Sequence, residues 1–496
     1  MFFHSGARQH ATPLPTCLTG AARDAAVFGW AHRYPGQPFV LDSGGRPDVL
    51  LNSFFASRGF RGYAPGTRKK YALSVRLWLN FCAARELEWQ AAGPDDVADF
   101  KFWRMTDTRN PGRVGGSAFH ADLAALAALY GWASRRHGIA NPVLRREILA
   151  PARRRDTWGA AGPAHAAAEP AGVRDRDVKW LDPKAVGRWI NVGMLGFSLD
   201  GLEPDSPAGR TGARDAAFAG LLYGSGLRVS EAASLLADEL PDDGEPDRVY
   251  FTCTLAAACA KGHRRRKWWL PRPDLSGLLS YVEGPRAAAI ARARAAGRYD
   301  RASGSRIVEG LHRSRRLALT GPGGAEIVPL DELTPDARLG LFRRTSNGLE
   351  PAALWLNENG MPRPATAWQA TFRTGNERLA RAGMRWFTCT PHMLRHSFAL
   401  RWYAVGRLIW DRRLEHLTEE EQRDFRVQFG DTWQFVQTLL GHSHPQTTAD
   451  IYLEPFRSLE VELLLECAAQ LPLSALMRAI FESDDRILHD PVAASR

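Results

Sequence analysis

The chain has 496 residues, 45% hydrophobic and 24% charged, a length beyond what one hydrophobic core usually holds, so two or more domains are expected. Lys and Arg outnumber Asp and Glu by 65 to 54, a net charge of +11 with a pI near 9.6, which favours a polyanionic partner, nucleic acid first among them. Six cysteines without a Cys-x-x-Cys spacing argue for a reducing cytosol and against a zinc site or disulfide framework, and the lack of a long apolar run argues against secretion and membrane spanning.

Residues 1–44, with Pro13, Pro15, Pro35 and Pro38, read as an N-terminal arm holding at most a short helix around Ala21 to Trp30. A helical pattern follows. Thr67 is the expected cap of a helix in which Tyr71, Val75, Trp78, Leu79 and Cys82 recur at helical spacing. Arg68, Lys69 and Lys70 crowd its first turn, where three cations oppose the helix dipole and a bound phosphate backbone would explain them. A second helix is expected over Pro94 to Met105. A third follows Ser117, with Leu123, Leu126, Ala127, Tyr130 and Ala133 as its stripe, and closes at Gly138. Residues 45–150 thus read as a small helical domain. The stretch 151–180, rich in Ala, Gly and Pro and carrying Arg153, Arg154 and Arg155, reads as a basic linker, whose charge is equally accounted for by solvation or by lying along a nucleic acid.

In the second domain a helix over Arg214 to Tyr223 breaks at Gly224-Ser225-Gly226, and a new one carries Leu227 through Leu236. Arg228 therefore sits at a helix mouth, a place suited to an anion, or else pairs with Glu231 one turn on. Arg248 to Cys253 and Lys267 to Leu270 read as strands. The connection Lys261-Gly262-His263-Arg264-Arg265-Arg266 repels itself unless something anionic visits. Of Trp268 and Trp269, one is expected to face the core because strand positions alternate. Residues 285–345 look peripheral to any site, Trp368 to Ala382 reads as a helix, and so does Thr390 to Val405, which carries His392 and Arg395 three apart on one face. Thr418 to Glu421 is a capping box. Near the end of the informative stretch, a helix stops at Gly441 and another opens at Ser443 and Pro445, bringing in His442 and Tyr452.

Arg228 in SGLRVSE, Lys261 in AKGHRRRKWWLP, His392 and Arg395 in PHMLRHSF, His442 in LLGHS and Tyr452 in TTADIY resemble, in order and without substitution, the six active-site positions of the tyrosine recombinases, the phage-integrase family. The resemblance covers roughly 181–456, and the helical domain at 45–150 is similar to the family's core-binding (SAM-like) domain. It implies a mainly α fold with a small antiparallel β-sheet in the catalytic domain, the two domains forming a clamp on double-stranded DNA. It further implies a cytoplasmic enzyme, nucleoid-associated when on DNA, that cuts and rejoins strands at specific sites through a 3′-phosphotyrosine and a Holliday junction. The same chemistry also serves topoisomerases of type IB and hairpin-forming resolvases, and a non-catalytic DNA-binding protein is the reading from another class.

The residue types suit that chemistry. The phosphorane formed when Tyr452 attacks a phosphodiester gathers negative charge that forked guanidiniums hold by paired hydrogen bonds, and Arg228 and Arg395 supply two. By resemblance, Lys261 protonates the leaving 5′ oxygen, His392 manages the tyrosine's proton and His442 binds the phosphate, so no metal and no cofactor are implied. Glu231 is expected behind the site, orienting Arg228 or His392. Arg68, Lys69, Lys70, Arg153, Arg154, Arg155, Arg264 and Arg265 are candidate DNA contacts. The resemblance also implies a homotetramer on DNA, a monomer off it, and accessory proteins. The chain departs from compact members by insertions at about 285–345 and 405–432, to which the pattern assigns no role. In relatives a C-terminal segment docks into the neighbouring subunit. Here 457–496, read as a helical tail, either does so or folds onto its own domain. Tyr403, the rival tyrosine, is expected in the core.

Overall fold

A computed structural model of the chain describes residues 2–3, 36–41, 45–143, 179–203, 209–242, 244, 248–300, 305–312, 315–414, 418, 436 and 487–488, with the backbone alone at several of these. The contacts divide it into two units, 1–176 and 177–496. The described residues are mainly helical with small sheets, as the sequence pattern predicts.

In the first unit two short strands, β1 (Phe2–Phe3) and β2 (Pro38–Phe39), pair antiparallel. Helices α1 (Val49–Ala56), α2 (Arg58–Arg61), α3 (Pro65–Ala84), α4 (Pro94–Met105) and α5 (Gly116–His137) follow. Asp48 caps α1 through a hydrogen bond from Leu51 N–H at 2.8 Å. The start of α3 is two residues earlier than Thr67, because Pro65, whose ring pre-sets a helical φ, takes the first position and Ala64 stands where a capping side chain would be. Gly138, at φ 67°, ends α5 in the left-handed conformation that a side chain would strain.

The predicted stripes of α3 and α5 form this unit's core, with Val75, Trp78, Leu123, Leu126, Tyr130 and Ala133 all buried against Phe100 of α4. Two polar chains lock the packing. Trp78 Nε1 donates to the Tyr130 hydroxyl at 2.9 Å, which donates to Trp89 O at 2.6 Å, and Ser74 Oγ donates to buried Asp122 at 2.5 Å.

The second unit opens with β3 (Trp180–Leu181) and α6 (Pro183–Trp189), the latter capped by Asp182. Helix α7 (Gly212–Ser225) runs to Gly226, whose φ of 64° turns the chain into α8 (Val229–Ala233). The predicted continuation of α8 through Leu236 is not formed. Backbone pairing wins there: Leu354 N–H donates to Leu235 O and Ala237 N–H to Ala352 O, each at 2.9 Å. Strands β4 (Tyr250–Leu255) and β5 (Arg266–Pro271) make an antiparallel hairpin with Leu255 opposite Arg266, and α9 (Arg272–Tyr281) packs onto α7.

The region expected to be peripheral is built of regular elements where it is described. It holds α10 (Ala287–Ala295) and a five-stranded sheet of β6 (Arg306–His312), β7 (Arg316–Gly321), β8 (Gly324–Pro329), β9 (Leu341–Thr345) and β10 (Gly348–Pro351) in the order β10-β9-β6-β7-β8. The sheet is mixed, since β6 and β9 run parallel, with α11 (Pro335–Leu339) between β8 and β9. Alternation along β7 buries Leu317 and Leu319 against Leu330, Leu333 and Leu341, a small core of its own. The sheet makes the β content larger than the single antiparallel sheet expected.

Helices α12 (Trp368–Arg381) and α13 (Pro391–Leu414) follow. Phe218 of α7 stacks on Trp368 at 3.5 Å between ring centroids, at the centre of the main core. Within 457–496, Ile487–Leu488 forms a short strand, β11, parallel to β3 of the same domain.

Candidate active site

Four elements converge on Glu231, which has no solvent exposure. From the N-cap of α8, Arg228 donates twice, by its backbone N–H to Oε2 at 2.9 Å and by Nη1 to Oε1 at 3.0 Å. From the hairpin connection, Lys261 N–H donates to Oε1 at 3.3 Å. From β5, Arg266 Nη2 donates to Oε2 at 2.8 Å. Burial pushes the Glu231 carboxyl up, but the charges of Arg266, Arg228 and Arg395 on α13, with the Arg228 backbone N–H, outweigh it and bring its pKa to about 2. The carboxylate is thus ionised at neutral pH and compensates a cluster of buried or half-buried guanidiniums.

Arg395 is 1% exposed and donates through Nη1 to Gly226 O, two residues before Arg228. Gly226 is required twice over: its φ is positive, and a β-carbon there would collide with the ring of Phe398, three residues beyond Arg395. One close approach therefore registers α13 against the α7–α8 turn and sets Arg395 beside Arg228.

His392, one turn earlier on α13, is exposed, while Met393 through Leu400 are buried, so the start of α13 opens to solvent at His392. Lys261 and the neighbouring Gly262, His263, Arg264 and Arg265 are exposed too. Gly262 and His263, at φ 91° and 53°, make the tight reversal that projects them.

Of the six predicted active-site residues, Arg228, Lys261 and Arg395 are gathered around Glu231, with His392 on the same helix as Arg395. His442 and Tyr452 lie outside the described residues, as do Arg153, Arg154 and Arg155. Because α3 starts at Pro65, Arg68, Lys69 and Lys70 lie fourth to sixth in the helix rather than in its first turn; Lys69 and Lys70 are exposed and Arg68 is half-buried. Tyr403 is buried, at 4% exposure, as expected of a packing residue. Trp268 is the inward member of its pair.

Of the two partners expected for Glu231, Arg228 is hydrogen-bonded to it. The sequence reading missed Arg266, grouped with the exposed basic run. Strand alternation carries the signal: Arg266 shares its face of β5 with buried Trp268 and Leu270. Burial lowers its pKa despite Glu231. Also missed were Trp355, whose Nε1 donates to Ala232 O at 2.8 Å, and Arg338, whose Nη1 donates to Ser234 O at 3.2 Å. Together they fix the end of α8. Nothing local marks either residue.

No family model matches the chain. A stretch of 71 residues is 42% identical to tyrosine recombinase XerC of Bradyrhizobium diazoefficiens, taking in 14% of this chain and 19% of that protein, so the chain matches only about a fifth of its curated relative's length. Among solved structures, XerH site-specific recombinase bound to palindromic difH substrate is 14% identical, with a TM-score of 0.44 over 85% of this chain and 82% of that one. The Tn1549 transposon integrase in complex with a circular intermediate DNA is 12% identical, with a TM-score of 0.42 over 83% of this chain and 99% of that one. The chain is thus similar to tyrosine recombinases and to proteins named as recombinase or integrase.

Proposed function

We propose that the chain is a tyrosine-type site-specific DNA recombinase. The observation that carries the reading is the Glu231 hub, which sets Arg228, the Lys261 loop and Arg395 around one buried carboxylate. A cluster of cations this dense is costly in a folded protein, and it is repaid where a doubly esterified phosphate gathers charge on its way to a phosphorane.

In this reading Tyr452 attacks the phosphorus, the bond to the 5′ oxygen breaks, and a 3′-phosphotyrosyl ester forms with release of a 5′ hydroxyl. Arg228 and Arg395 hold the non-bridging oxygens. Lys261, on its exposed reversal, delivers the proton to the leaving oxygen, His392 takes the phenol's proton and His442 bonds the phosphate. The residues stand in for a metal, since two fixed guanidiniums already supply the charge. Arg264, Arg265, Lys69 and Lys70, exposed on the two units, contact the DNA backbone, as do Arg68 and the basic stretch at Arg153 to Arg155. Strand exchange proceeds by paired cleavages in a tetramer on two sites.

The test begins with a duplex library carrying a nick and a randomised segment. Covalent protein–DNA adducts recovered under denaturing conditions identify the cleaved sequence, with Tyr452→Phe as the control. Adducts with wild type and none with Tyr452→Phe are expected. Adducts that persist in the variant would remove Tyr452 as nucleophile, and none with either protein would favour a DNA-binding protein without catalysis. Relaxation of supercoiled DNA by a monomer, without joining of two sites, would favour a nicking and closing topoisomerase.

A further inference from the structure

We propose that Asp331, in the turn after β8 of the region inserted between the hairpin and α13, is a positioning residue for Lys261. The connection between β4 and β5 is a loop with two legs, and Asp331 reaches both. Its Oδ1 accepts from Ala257 N–H at 3.0 Å on the entering leg, and its Oδ2 lies 3.5 Å from Arg265 Nη1 on the returning leg. Between these points the tip is tied inward by the Lys261 N–H to Glu231. Cys259 Sγ adds a contact to Leu333 O at 3.7 Å. The loop is therefore held at its middle by the helix of Arg228 and at both legs by the inserted sheet.

The turn that carries Asp331, Leu330–Glu332, is itself anchored to that helix. Buried Arg338 donates through Nε to Leu333 O at 3.2 Å and through Nη2 to Leu330 O at 3.3 Å. Its Nη1 reaches Ser234 O, directly after α8, at 3.2 Å and Glu239 Oε2 at 2.6 Å. Arg228, Glu231, the 330–333 turn and the Lys261 loop thus form one hydrogen-bonded frame. A proton donor works only within about 2.6–3.2 Å of the atom that takes the proton. On a flexible four-carbon stem, Lys261 needs its backbone fixed, and the insertion fixes it. Asp331 itself is 29% exposed at the side chain, so its role is to hold the loop rather than to fill the core.

The inference rests on reading Lys261 as the donor to the leaving 5′ oxygen, and leaving-group chemistry tests it. When sulfur replaces the bridging 5′ oxygen, the departing group is a thiolate, whose conjugate acid has a pKa of about 8.5, and it leaves without a proton. The probe is the duplex recovered by the adduct selection, made with oxygen or with sulfur at that position. Single-turnover cleavage is measured with the full-length wild type, Asp331→Ala, Asp331→Asn and Lys261→Ala. The expected result is that Asp331→Ala slows the oxygen substrate by about 10- to 100-fold, cleaves the sulfur substrate within a few-fold of wild type, and binds DNA as wild type does. Asp331→Asn, which keeps an acceptor for Ala257 N–H, should lose less, and it carries the test alone should Asp331→Ala fail to fold. Equal slowing on both substrates, or no slowing on oxygen, overturns the inference while leaving the cleavage reading intact. A wild type that forms no adduct overturns the cleavage reading and this inference with it.

Discussion

Replacing Glu231 by Gln removes the charge that balances Arg228 and Arg266 while keeping the side chain's shape. The carboxyl is fully buried, and its pKa lies at about 2 where 4.5 is usual. At about 1.4 kcal/mol per pH unit, that difference corresponds to roughly 3 kcal/mol of stabilisation at neutral pH. Breaking a buried ion pair by removing one partner costs roughly 3–5 kcal/mol in general, so the two routes agree. Linkage fixes the sign. A carboxyl whose pKa is depressed on folding contributes fully above its unfolded value, and the contribution is lost as pH falls from about 4.5 toward 2. Chemical denaturation of wild type and Glu231→Gln at pH 7 and at steps below pH 4.5 measures it. The variant should be less stable by roughly 3 kcal/mol at pH 7, and the gap should close as the pH approaches 2. A gap under about 1 kcal/mol at pH 7, the scale of an exposed pair, or one that does not change with pH, would refute the hub.

The other expectations concern single buried groups. Asp274 of α9 lies against Gly220 and Gly224 of α7, and burial, partly offset by Arg401, raises its pKa to about 7. The folded chain then holds a proton that the unfolded chain has lost, so wild-type stability falls as pH rises from about 4 to about 7. Asp274→Asn should flatten that slope in denaturation midpoints taken at pH 5 and pH 8; an unchanged slope would show that the carboxyl titrates normally. In the first unit, Tyr130→Phe strands Trp78 Nε1 and Trp89 O, and thermal melting should show a loss of about 1–3 kcal/mol, the cost of an unsatisfied buried polar group. No change in melting would mean that the chain Trp78–Tyr130–Trp89 adds nothing to the core.

The sequence by itself determined α3 and α5 of the first unit, because their apolar stripes repeat at helical spacing whatever surrounds them, whereas the short α1 and α2 were not read from it. Gly226 and Gly138 likewise marked their turns, since a left-handed φ leaves few other residues possible. The candidate site residues were legible one by one, by residue type and order. What only tertiary structure decided is how they meet. The Glu231 carboxylate is a hub because β5 turns Arg266 inward and α13 carries Arg395 onto the Gly226 carbonyl. Neither contact is local, and the segments involved are separated by long stretches of chain. The end of α8 was misread for the same reason: helical propensity argued for continuation, and pairing with residues 352–354 stopped it. The inserted sheet was read as peripheral because its composition is plain. Its bearing on the Lys261 loop comes from where Asp331 and Arg338 are brought, and a hydrogen bond between distant segments leaves no period or spacing in a sequence for a reader to find.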